Sequence, residues 1–161
     1  MKLGVISDTH DRLPTFRRAM ALFRRLEVDA IFHAGDLVAP FAAKLIAPEA
    51  VRVPVHVVYG NNDGEREGLK KVLPQIQPGP LKITLADRRI VMDHFIDWLK
   101  PADTADADVI ITGHTHSIVN EQKDGTLYLN PGECCGWVTD RCTVALLDLT
   151  TLKAEIVDIH E

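Results

Sequence analysis

The stretch that decides the fold of this chain spans residues 109–116 and reads VIITGHTH. Its first half is an apolar run typical of a buried strand, and the run stops at a glycine followed by two histidines one residue apart. Side chains at that spacing can face one pocket if the backbone leaves the regular alternation of a strand. Neutral imidazole is among the commonest protein ligands of transition metals, so this strand end is a candidate metal site.

Three further apolar runs end in the same way, each at a glycine or serine beside oxygen or nitrogen donors. These strand ends carry Asp8-Thr9-His10, Gly35-Asp36 and Gly60-Asn61-Asn62-Asp63. A single junction of this kind is weak evidence, because Gly-Asp and Asn-Asn-Asp-Gly are also good turn sequences. Four such junctions together predict a site that holds more than one metal ion.

The composition bounds the class of protein. A length of 161 residues predicts one domain over residues 1–161 with a full core. Hydrophobic residues make up 46% and charged residues 25%, which is ordinary for a soluble globular protein. The formal charge of −5 disfavours a phosphate-backbone binder, so no stable nucleic-acid binding is expected. A phosphorylated substrate stays open, because a bound metal pair makes its cleft locally positive.

The cellular compartment is predicted from what the sequence lacks. No apolar run reaches membrane-spanning length, and the chain enters a strand at its start without a signal-peptide pattern. The three cysteines, of which Cys134 and Cys135 are adjacent, do not form a disulfide framework. The expectation is a cytoplasmic protein that does not bind membranes.

In the first half of the chain, strand-like runs alternate with helical periodicity. Strands are predicted near residues 2–7, 29–33 and 51–59. A helix that begins near Pro14 lies between the first two strands, and a second helix is predicted over about 38–48. Strand alternating with helix predicts parallel strands joined by right-handed crossovers.

The second half favours hairpins instead. Three pairs of strands are predicted, at 81–86 with 89–93, 117–122 with 126–129, and 142–148 with 152–158. A short helix over 95–106 and a buried strand over 108–112 lie between the first two pairs. The predicted fold class is therefore α/β, a two-sheet β-sandwich flanked by helices, with a parallel or mixed first half and an antiparallel second half.

The order of the motifs resembles that of the calcineurin-like metallophosphoesterase superfamily. The matching positions are Asp8-Thr9-His10, Gly35-Asp36, Gly60-Asn61-Asn62-Asp63, His94 after a strand, and Gly113-His114-Thr115-His116. The compact length looks most like the small bacterial and archaeal phosphodiesterase branch. The resemblance implies the calcineurin-like fold and a metal-dependent phosphoric ester hydrolase, most specifically a phosphodiesterase.

Two divalent transition-metal ions are implied by the same resemblance. The first would be held by Asp8, His10, Asp36 and His116, and the second by Asp36, Asn61, His94 and His114. The mixed imidazole and carboxylate donors favour Mn²⁺, with Fe²⁺, Zn²⁺ or Ni²⁺ as alternatives. A hydroxide bridging the two ions would attack phosphorus.

One of these ligands departs from the family pattern. Phe95 follows His94, where the family usually has glycine. Nearby Asp93 and Asp97 are rival donors, although their spacing favours surface or capping groups.

Asn62 and Asp63 are the predicted catalytic residues. Many relatives carry histidine at the position of Asn62, where it can protonate the leaving group or bind phosphate. An amide can orient a phosphate oxygen but cannot supply a proton near neutral pH. The alternative is that Asn62 only shapes the turn while Asp63 fixes the loop by hydrogen bonds.

Other polar residues near the motifs have two interpretations each. His33 either hydrogen-bonds near the metals or is a satisfied structural histidine, and the second is favoured. Cys134 and Cys135 are better explained as small buried residues than as a metal or redox device. Glu133 stands where the family tends to have serine, and it is expected to alter the rim of the pocket. His56 and His160 receive no role.

Rival functions differ in the donors that they require. A non-catalytic scaffold, like the retromer subunit that shares this fold, is expected to lack some ligands, whereas all seven positions here carry competent donors. A haloacid-dehalogenase phosphatase needs an aspartate two residues after Asp8, and that residue is His10. The resemblance therefore favours an enzyme acting on a small phosphodiester, and it also favours a homo-oligomer.

Overall fold

Two five-stranded β-sheets pack face to face in the computed structural model, which describes residues 1–159. The strands are β1 (Lys2–Ile6), β2 (Ala30–His33), β3 (Val55–Val57), β4 (Leu81–Leu85), β5 (Arg88–Met92), β6 (Val109–Ile111), β7 (Ile118–Lys123), β8 (Thr126–Pro131), β9 (Thr143–Asp148) and β10 (Lys153–Asp158). The helices are α1 (Leu13–Arg25), α2 (Pro40–Ala43), α3 (Arg66–Val72) and α4 (Pro101–Thr104), with 3-10 turns at Lys44–Ile46 and Ile96–Trp98. The predicted two-sheet sandwich with flanking helices is confirmed.

The first sheet has the strand order β10-β9-β1-β2-β3. Its strands β1, β2 and β3 are parallel, as the alternation of strands and helices predicts. The C-terminal hairpin of β9 and β10 also belongs to this sheet, because β9 pairs antiparallel with β1. A hairpin from the end of the sequence therefore completes a sheet begun by its start.

The second sheet has the order β4-β5-β6-β8-β7 and is mixed, so an antiparallel second half is only partly right. The hairpins β4–β5 and β7–β8 are antiparallel, as predicted. The strands β5, β6 and β8 run parallel to one another. Residues 93–108 form a long connection between β5 and β6, and such a crossover allows the two strands to share a direction.

Helix α1 packs against the first sheet with the apolar face that its amphipathic pattern predicts. Phe16, Ala19 and Phe23 on this helix are buried. Gly4 in β1 is required by this packing, since a Cβ there would lie 2.8 Å from the ring of Phe23. The inner faces of both sheets supply the remaining core, including Phe32 from the first sheet and Ile111 from the second.

Two local predictions differ from the structure, and one helix was not predicted. Only residues 55–57 of the predicted strand 51–59 are extended and paired, just after Pro54. The helix predicted over 95–106 is divided into a 3-10 turn and α4, which begins at Pro101 because proline suits the start of a helix and not its interior. Helix α3 has no sequence prediction, and Leu69 is its one buried residue, which leaves little periodicity to detect.

None of the helices within residues 1–159 is long and apolar enough to cross a bilayer. His160 lies outside the described residues.

Candidate metal centre

All seven predicted metal ligands follow the carboxyl ends of parallel strands. Asp8 and His10 follow β1, Asp36 follows β2 and Asn61 follows β3 in the first sheet. In the second sheet His94 follows β5, and His114 and His116 follow β6. Carboxyl ends of parallel strands meet at one edge of a sheet, and here those of both sheets converge at one end of the sandwich.

The backbone leaves the regular strand alternation at most of these positions. Positive φ angles occur at Asp8 (51°), His10 (38°), Asp36 (59°), His114 (67°) and His116 (60°). A left-handed backbone conformation is uncommon for residues other than glycine, and the residues that adopt it cluster at functional sites. They allow donors one residue apart, such as His114 and His116, to face the same pocket.

Two glycines allow the strand ends to come close together. A Cβ on Gly60 would overlap the carboxylate of Asp36. A Cβ on Gly113 would overlap Ser7 Oγ and lie 2.7 Å from Asp8 Oδ2. The carboxylates therefore occupy space that any larger residue at these positions would fill.

The first cluster consists of Asp8, His10, Asp36 and His116. His10 Nε2 lies 3.8 Å from Asp8 Oδ1 and 3.4 Å from Asp36 Oδ2, and His116 Nε2 lies 3.6 Å from Asp8 Oδ1. These separations exceed normal hydrogen bonds. Asp8 Oδ1 and His10 Nε2 are buried without a hydrogen-bond partner. A cation bound between them would satisfy both atoms as metal ligands.

The second cluster consists of Asp36, Asn61, His94 and His114. His94 Nε2 lies 3.4 Å from Asp36 Oδ2 and 2.9 Å from Asn61 Oδ1. His114 Nδ1 lies 2.7 Å from the same amide oxygen of Asn61. Asp36 belongs to both clusters, which places its carboxylate between them.

Two of the histidines are fixed in the tautomer that metal binding needs. His94 Nδ1 lies 2.7 Å from Ala34 O and His116 Nδ1 lies 2.8 Å from Glu133 Oε2. Both oxygens only accept hydrogen bonds, so each Nδ1 carries a proton and Nε2 is the ring nitrogen left to face the carboxylates and bind a metal ion. This arrangement of the second ring nitrogen is typical of metal-ligating histidine.

The electrostatics of the carboxylates also fit a cation. Burial raises the pKa of the Asp8 carboxyl, and a cation bound beside it would favour its ionised form. Burial also acts to raise the pKa of Asp36, but the neighbouring His94 ring and the hydrogen bonds from Asn62 outweigh it and hold that pKa well below its ordinary value. A carboxylate that stays ionised is ready to bind metal.

Glu133 is buried and contacts the first cluster. Besides His116, its carboxylate accepts hydrogen bonds from the backbone N–H groups of Trp137 and Val138 and from the Thr139 hydroxyl. Burial acts to raise its pKa, but hydrogen bonds from Cys135, Thr139 and His116 lower it to about 2. The expectation of a role at the pocket rim is wrong, because this side chain is fully enclosed and joins a ligand to a loop.

Asn62 and Asp63 both contact Asp36. Asn62 donates to the two carboxylate oxygens of Asp36, from its backbone N at 2.8 Å and from Nδ2 at 2.7 Å. Asp63 accepts from the backbone N–H groups of Asp36, Val38 and Gly60 at 2.7–3.0 Å. These bonds are those of a loop-fixing carboxylate, and a catalytic role for either residue stays a prediction.

His33 is fully buried and both of its ring nitrogens are engaged. Nδ1 accepts from Gly35 N at 3.2 Å, so Nε2 carries the proton that is shared with Thr9 Oγ1 at 3.2 Å. Burial lowers its pKa to about 3, which keeps the ring neutral. The geometry is that of a structural histidine that fixes the loop before Asp36.

The rival donors lie close to the ligands. Asp93 is buried and accepts from the backbone N of His94 at 2.8 Å, so it caps this turn and is not a surface group. Cys135 Sγ lies within 4.8 Å of ring nitrogens of His10 and His116. Its thiol donates to Glu133 at 3.0 Å, and burial raises its pKa, both of which favour a protonated, buried cysteine.

Several residues at this end of the sandwich have no sequence prediction. Asn130 donates to Gly113 O at 2.8 Å. Trp98 lies near His94, and the indole N–H of Trp137 donates to His10 O at 3.4 Å. The contacts of Asn130 and Trp137 join residues that are distant in sequence, so no periodicity or turn signal could have predicted them.

Comparisons with known proteins agree on one family. A model of the calcineurin-like phosphoesterase superfamily domain matches residues 1–152. Phosphodiesterase MJ0936 of Methanocaldococcus jannaschii is 38% identical, over 99% of this chain and 98% of its own length. Phosphodiesterase YfcE of Escherichia coli K12 is 29% identical, over 82% of this chain and 78% of its own length.

Solved structures agree with this comparison. An archaeal phosphodiesterase superposes with a TM-score of 0.87 at 35% identity, over 98% of this chain and 99% of that one. Vps29 of Entamoeba histolytica, solved in complex with zinc, superposes with a TM-score of 0.68 over 99% of this chain and 100% of that one. Its identity of 22% shows likeness of fold alone.

Proposed function

The chain belongs to the calcineurin-like phosphoesterase superfamily, and from this membership we propose that it is a phosphodiesterase that depends on two divalent metal ions. One observation carries the proposal. The buried Asp8 Oδ1 and His10 Nε2 have no hydrogen-bond partner, and they face Asp36 and His116, which follow two other strands. The relative that is 38% identical over nearly the whole chain is named a phosphodiesterase, which supports the substrate class.

In this proposal the first and second clusters would each hold one ion, with Asp36 shared between them. When bound, the ions supply a hydroxide nucleophile and neutralise charge on the phosphoryl oxygens. Glu133 and Ala34 O hold His116 and His94 with Nε2 toward the carboxylates. The mixed nitrogen and oxygen donors favour Mn²⁺, with Fe²⁺, Zn²⁺ or Ni²⁺ as alternatives.

Within residues 1–159, no side chain outside the ligand set is placed as a nucleophile in this proposal. Ser7 and Cys135 are fully buried, and burial raises the pKa of the Cys135 thiol. A single in-line displacement without a phosphoenzyme is therefore expected. Hydrolysis of a chiral phosphorothioate diester in ¹⁸O-water should invert the configuration at phosphorus, whereas net retention would indicate a double displacement.

The proposal also covers the substrate, the binding partners and the cellular location of the protein. A small phosphodiester is the expected substrate, with no stable binding to nucleic acid or membrane, and a homo-oligomer is favoured. A cytoplasmic location is proposed because Cys134, Cys135 and Cys142 are all free thiols.

Metal content and activity test the proposal together. The protein is stripped with chelator, reconstituted with Mn²⁺, and assayed on bis(p-nitrophenyl) phosphate. We expect two ions per chain and diester hydrolysis, and we expect Asp36→Ala to lower the occupancy of both sites. One ion per fully active chain, or a loaded protein that hydrolyses no diester, would overturn it.

A further inference from the structure

The chain has two tryptophans, and both are exposed beside the metal centre. Trp98 is 47% exposed and Trp137 is 62% exposed. Tryptophan is highly buried on average, so two exposed rings at one end of a small domain suggest a ligand that covers them.

Trp98 flanks the second cluster. Its ring centroid lies 5.8 Å from that of His94 and 6.4 Å from that of His114. Phe95, from the same segment, lies 4.2 Å from the ring of His114. The aromatic rings of Trp98 and Phe95 therefore lie beside the histidines that would hold the second ion.

Trp137 flanks the first cluster and is held in place. Its indole N–H donates to the backbone oxygen of His10 at 3.4 Å, and the guanidinium of Arg12 lies 4.7 Å from its ring centroid. Its own backbone N donates to the buried Glu133 at 2.9 Å. The ring is thus fixed before a ligand arrives, which lowers the entropic cost of binding on it.

We propose that Trp98 and Trp137 bind planar aromatic rings on the two ester arms of the substrate, which makes the substrate class a small nucleoside phosphodiester. This inference rests on the proposed function, because the two rings can bind the arms of a substrate only if its phosphoryl group is held between the clusters. Nucleobases stack well on indole rings regardless of their identity. The net charge of −5 disfavours a long polynucleotide, so the substrate is short.

A second copy of the chain could also cover exposed tryptophans. Each ring, however, borders a proposed ligand: Trp98 lies beside His94 and Trp137 beside His10. A protein that covered both rings would cover the metal centre between them and shut out a soluble diester. The position of the rings therefore favours substrate over a partner protein.

Two diesters with the same leaving group test the proposal. Thymidine 5′-(p-nitrophenyl phosphate) and methyl p-nitrophenyl phosphate both release p-nitrophenolate, so they differ only in the remaining arm. We expect the Mn²⁺-loaded protein to prefer the nucleoside ester in kcat/KM by about tenfold, the size expected of one stacked base. Trp98→Ala or Trp137→Ala should reduce this preference, measured as the ratio of the two kcat/KM values, and Phe at the same position should partly restore it.

Val138→Ala is the matched control, because Val138 follows Trp137 in the same loop and is 69% exposed without an aromatic ring. It should leave the preference unchanged. Binding is measured separately through tryptophan fluorescence, which adenosine 5′-monophosphate should quench and ribose 5-phosphate should not. In each single Trp→Ala variant, the remaining tryptophan reports its own flank.

The outcomes separate this inference from the proposed function. Hydrolysis of both diesters with equal kcat/KM would overturn the proposal that the tryptophans bind aromatic arms of the substrate. It would leave the proposed phosphodiesterase activity unaffected. Hydrolysis of neither would overturn the phosphodiesterase itself. Sedimentation velocity completes the test: if Trp98→Ala or Trp137→Ala turns an oligomer into a monomer and leaves the preference unchanged, the rings belong to an interface and the inference fails.

Discussion

Asp36 is held in place by the chain itself. Asn62 donates to both carboxylate oxygens of Asp36. The backbone N of Asp36 donates to the carboxylate of Asp63 at 3.0 Å. The left-handed φ of 59° at Asp36 would be costly without such support. The carboxylate shared by the two clusters is therefore positioned before any ion binds.

Glu133 should control how tightly the first cluster binds metal. Glu133→Gln keeps the shape of the side chain but removes the charge that accepts the Nδ1 hydrogen of His116. Loss of such a partner weakens metal binding by about 10–100-fold. Calorimetric titration of the stripped protein with Mn²⁺ measures the affinity directly.

Thr139→Val is the control for this prediction, since it removes only the hydroxyl that donates to Glu133 at 2.7 Å. It perturbs the same loop but leaves His116 in place, so its Mn²⁺ affinity should stay near the wild-type value. Equal losses in both variants would mean that Glu133 acts through the loop and does not orient His116.

Asn62 should make the reaction sensitive to the leaving group. Its amide already donates to Asp36 Oδ2 and cannot supply a proton, and general acids contribute about 10²–10⁴-fold where they are present. Rates across substituted aryl phosphodiesters should therefore fall steeply as the leaving-group pKa rises. A flat dependence, with chemistry rate-limiting, would require another proton donor, and buried His33, whose pKa is lowered to about 3, is a poor one.

At the scale of elements, the site depends on how closely the strand ends approach. The loop after β6 contacts the loop after β1, where His114 N donates to Asp8 Oδ2 at 3.1 Å. Asn130, at the end of β8, donates to both Gly113 O and Thr115 Oγ1. Three strand ends from two sheets are thus tied together around the first cluster.

Gly113→Ala adds only one methyl group, but it should reduce both the stability of the protein and its affinity for metal. The added methyl group would overlap Ser7 Oγ and crowd Asp8, which forces the β1 and β6 loops apart. Overpacking of this kind costs about 1–3 kcal/mol of stability. Urea unfolding should show that loss, and Mn²⁺ titration should show weaker binding.

Gly64→Ala is the matched control at this scale, because a Cβ on Gly64 meets nothing within 4 Å. It follows the Asn61–Asp63 loop, yet it should change stability and Mn²⁺ affinity little. If Gly113→Ala behaved in the same way, close contact between the two loops would not be what positions Asp8.

At the scale of the whole molecule, the proposed ions would join the two sheets. The first sheet supplies Asp8, His10, Asp36 and Asn61, and the second supplies His94, His114 and His116. An unfolded chain does not bring these ligands together, so binding free energy adds to folding free energy.

Metal should therefore stabilise the fold markedly. At a free concentration of Mn²⁺ 100 times the Kd, one site contributes about 2.7 kcal/mol, and chelator should abolish the resulting rise in Tm. Asp36→Ala should remove most of the rise, while Asp124→Asn, in the exposed β7–β8 turn, should keep it. A Tm that does not respond to Mn²⁺ in the wild-type protein would contradict metal binding across the two sheets.

The sequence by itself determined the elements that depend on local signals. Apolar runs ending at glycine or serine mark β1, β2 and β6, and the donors after them proved to be neighbours in space. The amphipathic period of α1 and the turn residues of the hairpins were equally readable. These signals are short-range, because periodicity and turn chemistry involve residues only a few positions apart.

Tertiary structure alone decided which distant segments meet. The hairpin of β9 and β10 joined the first sheet through pairing with β1, which no local pattern requires. Glu133 met His116 for the same reason, and Trp98 and Trp137 came to flank one centre although they are far apart in sequence. Such contacts arise from packing the whole chain, so their physical cause lies in the fold and not in any single stretch of residues.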